Sequence, residues 1–271
     1  MESRVKFVSF DGTQLEGTYR SVPRTADAVA VLVHGINSSR DELGLFSGLA
    51  ESLAATGVPS FRFDYRCHGT SNKPIESMTL SGIVNDIEAA SAVAVKQSGA
   101  SKIHVLGMSF GGGLAAFWAS STDLGVISVV MMAPVIDYVE DVLGQHGAIA
   151  DGRLDDETAK TLAKNGFVEM DDIRYGFALV NELRFISGVA GIQRLKCPSL
   201  IIHGDADSIV PYSSSEKFSK LRDDCRLVNI PGTDHGFGVE DDDDLSSLET
   251  KEKHREVFRI VSDFYEGIVG Q

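Results

Sequence analysis

The fold is decided by one stretch of the sequence, Lys102-Ile-His-Val-Leu-Gly107-Met-Ser109-Phe-Gly111-Gly-Gly-Leu-Ala-Ala-Phe-Trp118. Its first part is a short apolar run typical of a buried strand, and the segment after Gly111 has the composition of a helix. Between them, Gly107-x-Ser109-x-Gly111 places small residues around a serine, as a tight strand-to-helix turn requires. Such a turn exposes the hydroxyl of Ser109 at a helix amino end, where the helix dipole favours negative charge. The stretch therefore predicts that Ser109 is a nucleophile.

Short apolar runs similar to this strand recur along the chain. They cover residues 28–33, 58–63, 103–106, 126–132, 199–202 and 226–230, and they are rich in Val, Ile and Leu with little alternation. This pattern is typical of strands that are buried on both faces of a sheet. Segments with helical spacing lie between them at residues 45–55, 83–95 and 114–119. The order predicts an α/β protein with right-handed crossovers and a mostly parallel sheet.

Two segments depart from this rhythm. Residues 4–10 and 13–19 flank an Asp11-Gly12 pair, which predicts an antiparallel hairpin. Residues 137–192 contain no convincing buried strand, although Phe177, Val180 and Leu183 are three apart and could share a helix face. A long insertion between core strands is usually a functional lid or cap. We therefore predict one α/β domain over residues 1–271, with a lid insertion at residues 137–192.

A serine needs a base to become nucleophilic, and His235 is the best candidate among the seven histidines. It follows the last predicted strand, and loops at the carboxyl ends of parallel strands face one crevice. The orienting acid should follow the preceding strand, where Asp205 and Asp207 are available. We prefer Asp207, with Asp205 shaping the turn. The chain order Ser, Asp, His is the order used by α/β-hydrolases.

An oxyanion hole completes the predicted site. One main-chain N–H should come from Phe110, the residue after the nucleophile, and the other from Ile36 in the turn after the third strand. The other histidines are less suitable as the base. His104 lies in a strand, His254 lies on the terminal helix, His146 could at most touch substrate, and His34, His68 and His203 are expected to make structural hydrogen bonds.

Composition limits the partners and the compartment. The 25 Lys and Arg against 39 Asp and Glu give a net charge of −14, which argues against nucleic acid or an anionic membrane as a partner. The acidic run at residues 240–244 would disfavour anionic substrates if it reached the cleft. Cys67, Cys197 and Cys225 have no metal-ligand spacing and suit a reducing compartment. No signal peptide or membrane-spanning run is evident, so we predict a cytoplasmic protein.

Several motifs together resemble an α/β-hydrolase of the esterase, lipase and serine-aminopeptidase-like group, and most resemble bacterial carboxylesterases of the cinnamoyl or feruloyl esterase type. The motifs are His34-Gly35, Phe61-Arg-Phe-Asp64-Tyr-Arg-Cys-His68-Gly-Thr-Ser71, the turn at Ser109, Gly204-Asp-Ala-Asp207-Ser-Ile-Val-Pro211 and Asp234-His235. The resemblance implies an eight-stranded sheet with helices on both faces and no cofactor. The chain has Cys67 where this family usually has glycine.

The predicted activity is therefore hydrolysis of a small or medium acyl or aryl ester through an acyl-enzyme. His34, Gly35, Phe177 and Phe185 are candidates for the substrate pocket, and no metal site is expected. The alternatives are a thioesterase for acyl carrier protein or coenzyme A, an amide or carbon–carbon bond hydrolase, and a non-catalytic binding module. A thioesterase would need a basic patch, for which Arg40, Arg62, Arg66 and Lys73 are candidates. Monomer and homodimer are both compatible with the sequence.

Overall fold

The computed structural model describes residues 1–71, 73–242 and 244–269. Its main sheet has eight strands in the order β1-β2-β4-β3-β5-β6-β11-β12. Their bounds are β1 Glu2–Val8, β2 Gln14–Arg20, β3 Ala28–Val33, β4 Ser60–Asp64, β5 Lys102–Met108, β6 Val126–Met132, β11 Ser199–Gly204 and β12 Cys225–Ile230. Strands β3 to β12 of this sheet run parallel, and β1 and β2 form an antiparallel hairpin at one edge. The predicted fold class is confirmed.

Helices cover both faces of the sheet because successive strand residues point to opposite sides. In β11, Ile201 packs into one apolar cluster, while Leu200 and Ile202 pack into another. The first cluster lies under α2 (Leu80–Ser98), α3 (Phe110–Ala119) and α7 (Tyr212–Ser219), and the second under α1 (Leu45–Ala55) and α8 (Leu248–Val269). This two-sided burial explains why the strands have no polar alternation.

Residues between β6 and β11 form short elements outside the main sheet. A π-helical turn, Glu140–Gly144, is followed by two hairpins and three helices. The hairpins pair β7 (Ile149–Ala150) with β8 (Arg153–Leu154) and β9 (Phe167–Met170) with β10 (Ile173–Gly176); the helices are α4 (Asp156–Asn165), α5 (Phe177–Glu182) and α6 (Gly188–Arg194).

The helix face expected for Phe177, Val180 and Leu183 is present only in part, on α5 and the turn after it. Residues 173–176 form β10, because Ile173 and Tyr175 are both buried on one face of a hairpin with β9. Val180 and Leu183 are buried on α5 and the turn after it, but Phe177 is 56% exposed. The segment therefore changes from a two-residue period in β10 to helical spacing in α5.

Among the residues that the structure describes, no helix is long and apolar enough to cross a lipid bilayer.

Candidate active site

Ser109 occupies a strained turn between β5 and α3. Its backbone has φ 51° and ψ −122°, outside the regions that most L-residues adopt. The turn tolerates only glycine on both sides. A Cβ at Gly107 would lie 2.3 Å from the carbonyl oxygen of Gly111, and a Cβ at Gly111 would lie 2.4 Å from that of His34. The glycines of the sequence motif are thus explained by close contacts between main-chain atoms.

The structure brings Ser109, His235 and Asp207 into one hydrogen-bonded chain. His235 Nε2 lies 2.8 Å from Ser109 Oγ, and His235 Nδ1 lies 2.7 Å from Asp207 Oδ2. Ser109 and Asp207 are buried, and His235 is half-buried. The three residues follow the carboxyl ends of β5, β11 and β12, which meet at one edge of the sheet. A proton on Nδ1 is donated to the carboxylate, which leaves Nε2 free to accept from the serine hydroxyl.

Asp207 is held as a carboxylate by its surroundings. Burial alone would raise its pKa, but hydrogen bonds from His203 and His235 more than offset that effect and leave the pKa well below its usual range. The main-chain N–H groups of Ile209 and Val210 donate to Oδ1 at 2.8 and 2.9 Å. An ionised Asp207 can therefore orient His235 and stabilise a positive charge on it.

Asp205, the other candidate acid, lies apart from His235. Its carboxylate accepts from Asn229 Nδ2 at 2.8 Å and from the main-chain N–H of Gly232 at 2.7 Å. These bonds link the loop after β11 to the loop after β12. Its position agrees with a role in shaping the turn.

Ile36 and Phe110, the predicted oxyanion donors, line the same cavity as Ser109. A Cβ at Gly35 would lie 3.1 Å from Ser109 Cβ, so the turn after β3 is packed directly against the serine. Within the described part of the chain, neither N–H donates to a main-chain or side-chain acceptor. An oxyanion hole formed by these two groups stays a prediction.

Glu42 is a residue of the site that sequence reasoning missed. Its Oε2 accepts from the main-chain N–H of Gly35 at 2.7 Å, next to the predicted oxyanion donor Ile36. Burial raises the pKa of Glu42, although the bond from Gly35 lowers it in part. No motif marks this carboxylate, because only the fold of the turn brings it back to Gly35.

A cavity of about 470 Å³ opens beside Ser109. Apolar side chains of Ile36, Phe110, Val135, Val142, Ile173, Tyr175, Ile209 and Val210 line it, together with polar Ser109, Asp141, Gln145, His146, Asp171, Ser208 and His235. This volume lies in the range of small-molecule sites. No Lys or Arg is among these described lining residues, and none of the described acidic run near residue 240 reaches the cavity.

The predicted pocket residues lie elsewhere. Phe177 and Phe185 do not line the cavity and are 56% and 80% exposed. His34 is buried outside it, where it stacks on Tyr65 at 3.9 Å between ring centroids, and burial lowers its pKa to about 3. Gly35 packs against Ser109 without bordering the cavity. Spacing alone could not show that hairpin β9–β10, not α5, faces the serine.

Of the histidines that are less suitable as the base, His146 lies at the cavity and His104 and His254 pack against other residues. His146 borders the cavity and lies 3.1 Å from Asp171, whereas His104 stacks on Tyr265 and His254 lies 3.0 Å from the carbonyl oxygen of Gly236. Across residues 1–71, 73–242 and 244–269, His, Cys, Asp and Glu side chains form no group of three that could hold a metal ion.

The arginines proposed for a basic patch are occupied by internal ion pairs. Arg40 pairs with Glu16 and Asp64, Arg62 with Glu2 and Asp41, and Arg66 with Asp11 and Asp86. All three are buried, and Lys73 is exposed on its own loop. These three arginines, named as candidates for a basic patch, are therefore bound by carboxylates of the same chain.

The order Ser109, Asp207, His235 along the chain, on the loops of a mostly parallel sheet, is the arrangement of α/β-hydrolases. Residues 30–247 match the sequence model of the alpha/beta hydrolase family, and the chain belongs to this family.

Individual relatives are distant. Est1E from Butyrivibrio proteoclasticus, solved with ferulic acid bound, is similar with a TM-score of 0.79 and 22% identity, over 98% of this chain and 100% of its own. YfhR of Escherichia coli O157:H7 is 24% identical over 237 residues, which are 85% of this chain and 72% of that protein. Monoacylglycerol lipase of Mycolicibacterium smegmatis is 24% identical over 233 residues, 76% and 80% of the two chains. At 22% identity, the structural likeness to Est1E supports the fold alone.

Proposed function

We propose that this protein hydrolyses carboxylic esters of small or medium acyl or aryl groups, with Ser109 as nucleophile, His235 as general base and Asp207 as the orienting acid. One observation carries the proposal, the hydrogen-bonded chain from Ser109 Oγ through His235 to Asp207. Nucleophile, base and orienting acid within hydrogen-bond reach are the signature of covalent catalysis by serine.

In the proposed reaction, His235 Nε2 takes the proton of Ser109 as its oxygen attacks the ester carbonyl. The N–H groups of Ile36 and Phe110 stabilise the oxyanion, and His235 returns the proton to the leaving alcohol. Water then attacks the acyl-enzyme with the same base, and the acid is released. Ionised Asp207 stabilises the imidazolium in both steps.

The cavity supports a neutral substrate of modest size. Its apolar walls suit an acyl chain or a ring, and Asp141 and Gln145 offer polar contacts to a substrate hydroxyl. The acidic side chains around it repel a carboxylate. Est1E with ferulic acid and the monoacylglycerol lipase also bind or act on acyl or aryl-acid molecules, and their names agree with this class.

We also propose that residues 137–192 act as a lid on a single domain spanning residues 1–271, of which 72, 243, 270 and 271 lie outside the described residues. Asp141, Val142, Gln145 and His146 border the cavity from the π-helical turn and its end, and Asp171, Ile173 and Tyr175 border it from hairpin β9–β10. This segment therefore contributes much of the pocket wall, as a substrate-selecting cap would.

A thioesterase for coenzyme A or carrier protein is less well supported. Such substrates carry phosphate, and the arginines that could have received it are paired inside the protein. Amide and carbon–carbon bond hydrolysis use the same triad, and assays with substrates of each kind distinguish them from ester hydrolysis. A non-catalytic module would not be labelled by a fluorophosphonate.

The test is hydrolysis of p-nitrophenyl esters, from acetate to long acyl chains, by wild type, Ser109→Ala and the control Ser121→Ala at an exposed helix end. We expect short esters to be turned over by wild type and control, and kcat to fall by about 10⁴-fold or more in Ser109→Ala. Equal activity of Ser109→Ala and wild type would refute the assignment. An inactive wild type that fluorophosphonate labels at Ser109 would redirect the proposal to thioesters or amides.

A further inference from the structure

Asp207 is bound by a second histidine besides His235. His203, at the end of β11, is fully buried, and its Nε2 lies 2.9 Å from Asp207 Oδ2. The same oxygen accepts from His235 Nδ1 at 2.7 Å. On the other side of the ring, His203 Nδ1 lies 2.6 Å from Ser215 Oγ on α7. A hydrogen-bonded chain therefore runs from Ser215 through His203, Asp207 and His235 to Ser109.

The contacts of His203 determine where its proton lies. Nε2 faces Asp207 Oδ2 and, at 3.1 Å, the carbonyl oxygen of Val210, and both are acceptors only. Nε2 must therefore carry a hydrogen. In a neutral ring Nδ1 then has a lone pair, which the hydroxyl of Ser215 satisfies as donor. His203 is thus a donor directed at the carboxylate.

Asp207 has other anchors besides this donor. The main-chain N–H groups of Ile209 and Val210 already anchor Oδ1. His203 instead donates to Oδ2, the atom that His235 uses. A hydrogen bond to an ionised oxygen disperses its charge, so a second donor weakens the pull of Oδ2 on the first.

We propose that His203 is a positioning residue that shares Asp207 Oδ2 with His235 and so makes His235 a weaker base than the Asp207–His235 pair alone would make it. The inference rests on the proposed function only in assigning His235 as the base. Its effect is to keep His235 neutral, and hence able to accept the serine proton, at lower pH. Ser109 then has a working base over a wider pH range.

Other ionisable groups also surround His235, and they are the same in wild type and in the variants below. Glu42 faces it from the turn after β3, Asp234 adjoins it on the loop after β12, and His254 contacts that loop from α8. Across the cavity lie Asp141, His146 and Asp171. Tyr212 of α7 packs edge-on against His203. A difference between variants at residue 203 therefore reports on His203 itself.

The experiment compares wild type with His203→Leu, which removes the donor, and with His203→Gln, whose amide N–H can occupy the place of Nε2–H. The readouts are the pH dependence of kcat/KM on a p-nitrophenyl ester and the titration of the His235 ring, followed by NMR in protein with ¹³C-labelled histidine. Ser215→Ala is the matched control, since it removes a buried hydrogen bond from the same ring but leaves Nε2–H on Asp207.

In His203→Leu we expect the acid limb of kcat/KM and the NMR midpoint of His235 to move up by about 0.5–1 pH unit, with KM little changed. His203→Gln and Ser215→Ala should keep both near the wild-type position. A loss of thermal stability in His203→Leu with no upward shift would overturn the proposal, because a purely structural role predicts that result. If His203→Leu does not fold, a shift in the donor-retaining His203→Gln equal to a full unit would overturn it.

The NMR titration needs no substrate. An enzyme inactive on every ester would count against the proposed function, while the midpoint of His235 would still decide the role of His203.

Discussion

Cys67 occupies a left-handed backbone position in the loop after β4, with φ 65°. A side chain in this region costs roughly 1–2 kcal/mol, because Cβ approaches the neighbouring carbonyl oxygen. A glycine, which the resemblance to α/β-hydrolases leads us to expect at this position, would avoid that cost. The loop keeps its shape because it is bonded on both sides: Cys67 N–H donates to Ser71 Oγ, and the thiol lies 3.5 Å from Ser77 Oγ.

We predict that Cys67→Gly is more stable to urea than Cys67→Ala by about 1 kcal/mol, since both lose the thiol and only glycine relieves the left-handed strain. Equilibrium unfolding at one pH measures the difference, and the comparison with alanine is the control for lost thiol contacts. Equal stability of the two variants would mean that the loop stores no backbone strain.

At the scale of elements, the turn from His34 to Gly44 presents one predicted oxyanion donor, Ile36. Glu42 and Leu43 in this turn both have positive φ, at 44° and 52°. The conformation points the Glu42 carboxylate back to the N–H of Gly35, one residue before Ile36. Glu42 thus joins the end of the turn to its beginning at Gly35 through a hydrogen bond.

We predict that Glu42→Ala lowers kcat on a short ester by about tenfold with a smaller change in KM, because an oxyanion donor acts mainly in the transition state. Glu42→Gln keeps an acceptor for Gly35 and should recover most of the activity. Steady-state measurements of kcat and KM for both variants and wild type test this prediction. A fall in Glu42→Gln as large as in Glu42→Ala would assign the effect to charge and not to the hydrogen bond.

The π-helical turn Glu140–Gly144 carries Asp141 to the cavity wall. Burial raises the pKa of Asp141 to about 6, partly offset by hydrogen bonds from Ile136 and Asp137. An unfolded aspartate titrates with a pKa of about 3.9. Between these values the folded protein binds more protons than the unfolded chain, so ionisation of Asp141 lowers stability as pH rises.

We therefore predict that Asp141→Asn becomes more stable relative to wild type between pH 4 and pH 7. The asparagine retains a carbonyl acceptor for the N–H of Ile136, which Asp141 Oδ2 now accepts at 3.2 Å. Urea unfolding at both pH values measures the gain, and equal m-values ensure that it reflects stability. A stability difference that does not depend on pH would contradict the raised pKa.

At the scale of the whole molecule, the net charge of −14 and the acidic lining of the cavity both disfavour an anionic substrate. Lys and Arg are absent from the described cavity lining, whereas Asp141 and Asp171 are present. A negative protein field lowers the local concentration of anions, and salt screens the effect over about 8 Å at physiological ionic strength.

We predict that p-nitrophenyl acetate is preferred in kcat/KM over the carboxylate-bearing p-nitrophenyl succinate, by about tenfold or more at low salt and less at high salt. Measuring both esters across salt concentrations tests this, with the neutral ester as the control for general salt effects. Selectivity that stays constant with salt would show that shape, not charge, discriminates.

Much of the fold could be predicted because the apolar runs and turn residues of the sequence favour the same strands that the core buries. The strands are read from apolar runs that are buried on both faces, and β3 and β6 begin and end where the pattern indicates. The hairpin at Asp11-Gly12 follows from turn chemistry. By contrast, the strand at Ile173 was missed because its register is set by pairing with β9.

The sequence by itself determined the residues whose identity a backbone constraint or a chemical role demands. Gly107 and Gly111 are required by the turn at Ser109, and the chain order of Ser109, Asp207 and His235 indicated the triad, whose catalytic roles remain predictions. Only the tertiary structure decided which side chains surround them: Glu42 at the oxyanion turn, His203 on the acid, and Asp141 in the cavity. The physical reason is that such contacts join residues far apart in sequence, so their geometry follows from how the elements pack and leaves no local pattern to recognise.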